Sequence, residues 1–89
     1  MNKIDLLIRE SIELRQDFED MLELNKEDID YIEADDLNSR FFSISDEIIS
    51  CMDKYGEDDE LVEMLAVLAC LNDELYDAVI SSQKVSMLY

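Results

Sequence analysis

The 89-residue chain contains no histidine, proline or tryptophan, and it has only one glycine and two cysteines. Without histidine it lacks the side chain that most often acts as a general acid or base and most often binds metal ions. Ser–His and Cys–His nucleophile arrangements are therefore excluded, and one glycine cannot build a glycine-rich phosphate loop. Because sheet proteins need frequent turn residues, the composition favours long helices with few connections.

Basic side chains are also scarce. Seven Lys and Arg stand against 24 Asp and Glu, which gives a formal net charge of −17. Direct nucleic-acid binding is not expected, because it needs cationic groups that displace counterions. Binding to an anionic membrane surface is disfavoured for the same reason. Self-repulsion of this size opposes compactness, so we expect the charge to serve solubility or a basic partner.

Hydrophobic residues make up 48% of the chain, too many for a disordered acidic tail, so we predict one packed domain over residues 1–89. Acids interrupt the apolar run at the N-terminus, MNKIDLLIRESIEL, which argues against a signal peptide. No stretch approaches the roughly 20 apolar residues of a membrane span. Cys51 and Cys70 lack CxxC spacing and are expected to be reduced and buried. We predict a cytoplasmic protein.

The first predicted helix runs from about Lys3 to Leu24. Its apolar side chains recur at steps of three and four residues, the pattern of a helix packed on a core. Ser11 fills the one polar position in this stripe. The stripe consists of Ile4, Leu7, Leu14, Phe18 and Met21, and it is widened by Ile8, Ile12 and Leu22.

The second predicted helix begins after Asn25, which suits an N-cap, and runs to about Tyr55. Acids in its first turn, residues 26–28, complement the helix dipole and the unpaired amides. The predicted seam of this helix consists of Phe41, Ile44, Ile48, Cys51 and Tyr55.

The beginning of the second helix is predicted to be irregular. At 3.6 residues per turn, Ile29 and Ile32 are expected to point inward and Ala34 outward. Residues 34–40, ADDLNSR, are poor helix formers. Since Asp36 would fall on the side of the isoleucines, a bend or break is predicted before it.

The third predicted helix follows the clearest helix-boundary signal in the chain. Lys54 and Gly56 indicate a helix C-terminus, and residues 57–60, EDDE, indicate the acidic start of the next helix. Residues 61–71 are apolar nearly all round, so this helix must be covered on every side. Its seam consists of Leu61, Met64, Leu68, Leu71, Leu75 and Ala78, continued by Ser82 and Val85.

These segments predict an all-α fold, an antiparallel three-helix bundle with a broken second helix as a variant. Two amphipathic neighbours cover only part of an apolar third helix. The domain is therefore expected either to self-associate, as a homodimer for example, or to offer a groove to a partner helix.

Clustered carboxylates are the remaining candidates for a metal-binding or catalytic site. An EF-hand frame counted from Asp28 puts Ile32 at position 5, and one counted from Asp53 puts Met64 at position 12, so neither frame fits. The Glu-x-x-His pattern of di-iron bundles is absent. We predict no enzymatic activity, no metal site and no cofactor.

The acids themselves admit two interpretations. Charge runs are most often the solvated face of a helix. Alternatively, the block from Asp17 to Asp36, with ten acids and only Lys26 as counter-charge, forms a line of negative potential like that of a nucleic-acid strand. Its composition resembles that of DNA-mimicking inhibitors, many of them phage-encoded. The predicted acidic surface consists of Asp17, Asp20, Glu23, Glu27, Asp28, Asp30, Asp35, Asp36, Asp58 and Asp59.

Three segments that together cover most of the chain follow one another: DLLIRESIEL, NKEDIDYIEADDLNSRFFSI and DDELVEMLAVLACLNDELYDAV. Their order and apolar pattern resemble those of FliT-type flagellar export chaperones. It implies a cytoplasmic chaperone that shields an aggregation-prone helical end of the filament-cap protein. The candidate docking stripe consists of Leu61, Met64, Leu65, Leu68, Leu71 and Leu75.

We therefore predict a non-enzymatic protein that binds another protein. The first interpretation is an export-type chaperone that masks a helical segment of its partner through apolar residues. The second is an acidic inhibitor that mimics nucleic acid and blocks the basic nucleic-acid-binding surface of a host protein, as anti-CRISPR proteins do. Binding by the chaperone should depend little on salt, whereas binding by the mimic should weaken steeply with ionic strength.

Overall fold

The computed structural model describes residues 3–87, except for the side chains of Lys26 and of residues 82–87. Helix α1 spans Lys3–Leu22, α2 spans Tyr31–Tyr55 and α3 spans Asp59–Met87, with a short 3-10 helix at Lys26–Asp28. Connections of eight and three residues make successive helices antiparallel. The result is a rod of 52 × 19 × 18 Å. The predicted all-α three-helix bundle is confirmed.

The core is a single cluster to which each helix contributes one seam. In α1 the predicted seam is confirmed, with Ser11 buried among its apolar residues. Ile4, Ile8 and Leu22 pack at its edge, whereas Ile12 is 53% exposed because only two helices cover α1. The buried apolar residues are Leu7, Leu14, Phe18, Met21, Ala34, Leu37, Phe41, Ile44, Ile48, Cys51, Leu61, Leu68 and Leu75.

Helix α2 begins later than predicted. Asp30, not Asn25, is its N-cap, and the Asp30 Oδ1 atom accepts a hydrogen bond of 2.8 Å from the Ile32 amide. This carboxylate satisfies one of the amides that the first turn leaves without an intrahelical partner. Residues 26–28 form the separate 3-10 helix instead, and this helix packs against α3.

The predicted break in α2 is wrong, since the helix is continuous through residues 34–40. Ala34 and Leu37 are both buried in the core, and their packing outweighs the weak helix propensity of this stretch. The predicted orientation is also wrong for Ala34 and for Ile32, which is 76% exposed. Two residues apart, these side chains lie about 200° around the helix from one another, so burying Ala34 turns Ile32 outward. Ile29 is partly buried, and Asp36 is exposed.

The connection between α2 and α3 is as predicted. Gly56 ends α2 with a φ of 95°, and its N–H donates a hydrogen bond of 2.8 Å to the Met52 carbonyl. The Asp58 Oδ1 atom then accepts hydrogen bonds from the amides of Glu60 and Leu61, at 3.0 and 3.2 Å, and caps α3. Tyr55 does not join the core as predicted, because the last turn of α2 leaves it exposed.

Helix α3 is covered on one side only. Leu61, Leu68 and Leu75, spaced by seven residues, are buried, while Met64, Leu71 and Ala78 are half-buried. Cys51 is buried as predicted, but the same prediction for Cys70 is wrong, because Cys70 lies about 200° around α3 from Leu68 and is exposed. The predicted seam positions Ser82 and Val85 lie outside the side chains that the structure describes.

Candidate partner-binding site

A groove between α1 and α2 is lined on both sides by carboxylates, and we call it the acidic groove. On α1 the lining acids follow steps of three and four residues, which place them on one face of the helix. On α2 the facing row has the same helical spacing and includes one arginine. The α1 row is Glu10, Glu13, Asp17 and Asp20; the α2 row is Glu33, Asp36, Arg40 and Glu47.

One ion pair crosses the acidic groove and fixes which residues face each other. The Arg40 Nη1 atom lies 2.8 Å from the Asp17 Oδ2 atom, and both side chains are about half-exposed. An exposed pair of this kind contributes roughly 0.2–1 kcal/mol to stability, so its main effect is on local geometry. The groove therefore holds seven carboxylates and one guanidinium, and the buried core residues Met21, Leu37 and Ile44 lie beneath it.

The carboxylates of this protein are available to solvent and to partners. All 24 acidic residues lie in the described part of the chain, and none of them is buried. Along α2 the acidic groove runs from residue 33 to residue 47, which corresponds to about 21 Å of helix. Seven carboxylates over this length give a mean spacing of about 3 Å along the axis, compared with about 3.4 Å per charge in one strand of DNA.

The predicted acidic surface is divided by the fold into separate regions. Asp17, Asp20 and Asp36 line the acidic groove, whereas Asp35 lies on the other flank of α2, beside α3. Asp58 and Asp59 lie at the start of α3, at the opposite end of the rod from the α1–α2 connection. The remaining four lie at that connection, where one of them caps α2: Glu23, Glu27, Asp28 and Asp30.

Four carboxylates of the acidic groove were not among the predicted site residues: Glu10, Glu13, Glu33 and Glu47. The signal for half of the groove is present in the sequence, since acids at positions 10, 13, 17 and 20 share one helical face. The pairing of this face with α2 is not encoded in any local pattern. It follows from which sides of the two helices are buried.

The predicted apolar docking stripe belongs largely to the core. Leu61, Leu68 and Leu75 are at most 2% exposed and contact the core formed by α1 and α2. The other three residues, Met64, Leu65 and Leu71, are half-buried, and Leu65 and Leu71 pack against the same core. In this bundle five of the six side chains therefore help to hold α3 in place.

Comparisons with known proteins add no further assignment. No protein-family model matches the chain, and no curated protein or solved structure is significantly similar to it. The resemblance to FliT-type export chaperones stays a prediction from the sequence. In the described range, residues 3–87, none of the helices is both long and apolar enough to cross a membrane. Within the same range, no group of three or more Cys, Asp or Glu side chains is arranged to hold a metal ion.

Proposed function

We propose that this chain is a non-enzymatic inhibitor that binds the basic, nucleic-acid-binding surface of another protein, with the acidic groove as its contact surface. The observation that carries the proposal is the arrangement of seven carboxylates on two facing helices with a single guanidinium between them. Such a concentration of one sign of charge attracts a cationic surface and steers its approach.

The spacing of the charges supports a nucleic-acid-binding protein as the partner. The two rows together hold about one carboxylate per 3 Å of axis, so a surface that binds a phosphate backbone would meet a similar density of negative charge in the groove. Leu24, which is 45% exposed, also lines the groove and would pack against the aliphatic stem of a lysine or arginine of the partner.

The alternative function, masking of a helical segment by an export-type chaperone, has less support. Its predicted docking stripe would require Leu61, Leu68 and Leu75 to leave the core and the bundle to open. Removing buried leucines from a packed core costs about 2–5 kcal/mol each, by comparison with Leu→Ala substitutions. The acidic groove needs no such rearrangement.

A pair of charge-matched double variants tests the proposal. Glu13→Gln with Glu47→Gln removes one carboxylate from each side of the acidic groove. Glu63→Gln with Glu74→Gln removes the same charge from exposed positions on α3. The chain is used to isolate partners from host extract at low salt, and the affinity of each purified partner is then measured for both variants and for a DNA or RNA competitor.

We expect the groove variant to bind about 3- to 10-fold more weakly, since each exposed charge pair contributes roughly 0.2–1 kcal/mol, and the α3 variant to bind nearly as wild type. Binding should weaken steeply between 0.05 and 0.5 M NaCl, and nucleic acid should compete with it. A partner that is retained in high salt, is indifferent to nucleic acid and responds equally to both variants would overturn the proposal.

A further inference from the structure

Three large apolar side chains form an exposed ridge along α2, on the flank opposite the acidic groove. Tyr31, Phe42 and Ile49 are between 53 and 60% exposed. They are 11 and 7 residues apart, which places them within about 20° of one another around the helix. The Phe42 ring also packs against the Phe41 ring, with centroids 5.5 Å apart, so this part of the ridge is held in position by the core.

Helix α3 presents a second row beside this ridge. Val62, Ala69 and Tyr76 recur every seven residues, so they share one flank of the helix. Val62 and Tyr76 are exposed, and Ala69 is half-buried against the core. The middle position of the row, Ala69, has a small side chain, so a partner side chain can approach the helix closely there.

The two rows lie on either side of the α2–α3 interface, and we call the surface between them the apolar groove. Tyr31 and Tyr76 line one crevice of this surface, together with Asn38 of α2 and Asn72 of α3. Because the two helices are antiparallel, this register puts Phe42 at the level of Ala69, and Ile49 at the level of Val62. From Tyr31 to Ile49 the groove is about 27 Å long, or about five helical turns.

The borders of the apolar groove carry acids. On α2, Asp35, Asp46 and Asp53 lie within about 20° of one another, on the solvent side of the ridge. On α3, Asp73 is exposed next to the groove. The sequence of α3 contains no lysine or arginine from residue 59 to residue 83. An occupant therefore meets apolar surface at the centre and negative charge at both edges.

We propose that the apolar groove docks an amphipathic helix of another protein, about 18 residues long, with an apolar stripe flanked by lysine or arginine. The apolar stripe would fill the channel between the two rows, and the flanking cations would pair with the bordering carboxylates. A second copy of this chain is disfavoured as the occupant, because it carries the same net charge of −17 and the same acidic borders. An anionic membrane is disfavoured for the same reason. The inference is independent of the acidic groove, which lies on the other flank of α2.

A designed 18-residue helical peptide serves as the probe, with a leucine stripe and lysine on both flanks. One control peptide keeps the leucine stripe and carries glutamate on the flanks. A second control keeps the lysines and replaces the leucines by glutamine. Binding of each fluorescently labelled peptide to the full chain is measured by anisotropy in 0.15 and 0.5 M NaCl.

Ile49 and Ile12 provide a matched pair of variants, because both are isoleucines with 53% exposure on helices. Ile49→Asp places a charge in the apolar groove, whereas Ile12→Asp makes the same change on α1, away from it. We expect the lysine-flanked peptide to bind at least 10-fold more tightly than either control peptide, and to retain measurable binding in 0.5 M NaCl. Ile49→Asp should weaken its binding at least 10-fold and Ile12→Asp less than 2-fold.

The proposal is overturned if the two isoleucine variants bind equally, or if the glutamate-flanked peptide matches the lysine-flanked one. It is also overturned if Glu13→Gln with Glu47→Gln abolishes peptide binding, which would assign the peptide to the acidic groove. If circular dichroism shows that Ile49→Asp does not fold, amide chemical shifts of the wild-type chain identify which groove binds the peptide. The largest peptide-induced shifts are expected around residues 42, 49, 62, 69 and 76, and a maximum around residues 10–17 contradicts the proposal.

Discussion

Ser11 is the clearest example of a single residue that the fold tolerates at a cost. Its hydroxyl is fully buried on the inner face of α1 and has no hydrogen-bond partner among the described residues. A buried hydroxyl without a partner loses its hydration and gains nothing in return, which costs about 1–3 kcal/mol. The sequence indicated a polar position in the seam, but it did not show that the hydroxyl there has no hydrogen-bond partner.

We expect Ser11→Ala to raise the free energy of unfolding by about 1 kcal/mol or more, because it removes the unpaired hydroxyl from the core. Alanine also has the higher helix propensity. Ser50→Ala, at an exposed site of α2, measures the contribution of helix propensity to the unfolding free energy alone. Both free energies come from urea denaturation followed by circular dichroism. If Ser11→Ala is no more stabilising than Ser50→Ala, the hydroxyl does not carry the cost assigned to it.

At the scale of elements, local signals fixed some boundaries and misplaced others. The end of α2 at Gly56 and the start of α3 within residues 57–60 were predicted correctly, because these signals act on their own backbone or on the next few amides. The start of α2 was misplaced because Asn25 and Asp30 are both good N-caps, and a local rule does not choose between them. The predicted break at residues 34–40 failed because helix propensity is a weaker effect than burial of Leu37.

The exposed side chains of the candidate sites were harder to predict than the seams. Periodicity gives the centre of a buried stripe, but its width depends on how many neighbours a helix has. With two neighbours, Ile12, Ile32 and Cys70 stay outside the packing, although each was predicted to face the core. In the acidic groove, Asp17, Asp20 and Asp36 were predicted, but their grouping required the register between α1 and α2.

Gly56 gives a prediction for the α2–α3 connection. Its φ of 95° and ψ of 165° lie in a region that is essentially restricted to glycine, and a side chain there costs about 1–3 kcal/mol. An added Cβ would meet no atom within 4 Å, so this cost comes from the backbone alone. We expect Gly56→Ala to lower the unfolding free energy by this amount, measured by urea denaturation. Gly56→Asn should give no rescue, since asparagine favours the left-handed helical region, where ψ is near 47°. Wild-type stability of either variant would contradict the assignment.

For the whole molecule, charge is the dominant property. Helix α2 separates an acidic groove on one flank from an apolar groove on the other, and none of the 24 acidic residues is buried. With a net charge of −17, the folded state is destabilised by its own repulsion, which dissolved ions screen.

We expect the thermal midpoint to rise as NaCl increases from 0.02 to 0.5 M. Relief of about 1 kcal/mol of repulsion corresponds to a rise of about 4–8 °C for a domain of this size. The control is a variant with glutamine at positions 13, 47, 63 and 74, which changes the net charge from −17 to −13 by removing four of the 24 acids. Its midpoint should rise less with salt, as followed by circular dichroism. An equal rise in both proteins would assign the effect to something other than self-repulsion.

The three-residue connection at Gly56 also bears on the order in which the helices assemble. Closing this connection costs less chain entropy than closing the eight-residue connection between α1 and α2, so α2 and α3 are expected to associate before the folding barrier is crossed. Leu68→Ala should then mainly slow folding, whereas Leu14→Ala in α1 should mainly speed unfolding. Stopped-flow kinetics in urea distinguish the two cases, and a reversed assignment would mean that α1 belongs to the folding nucleus.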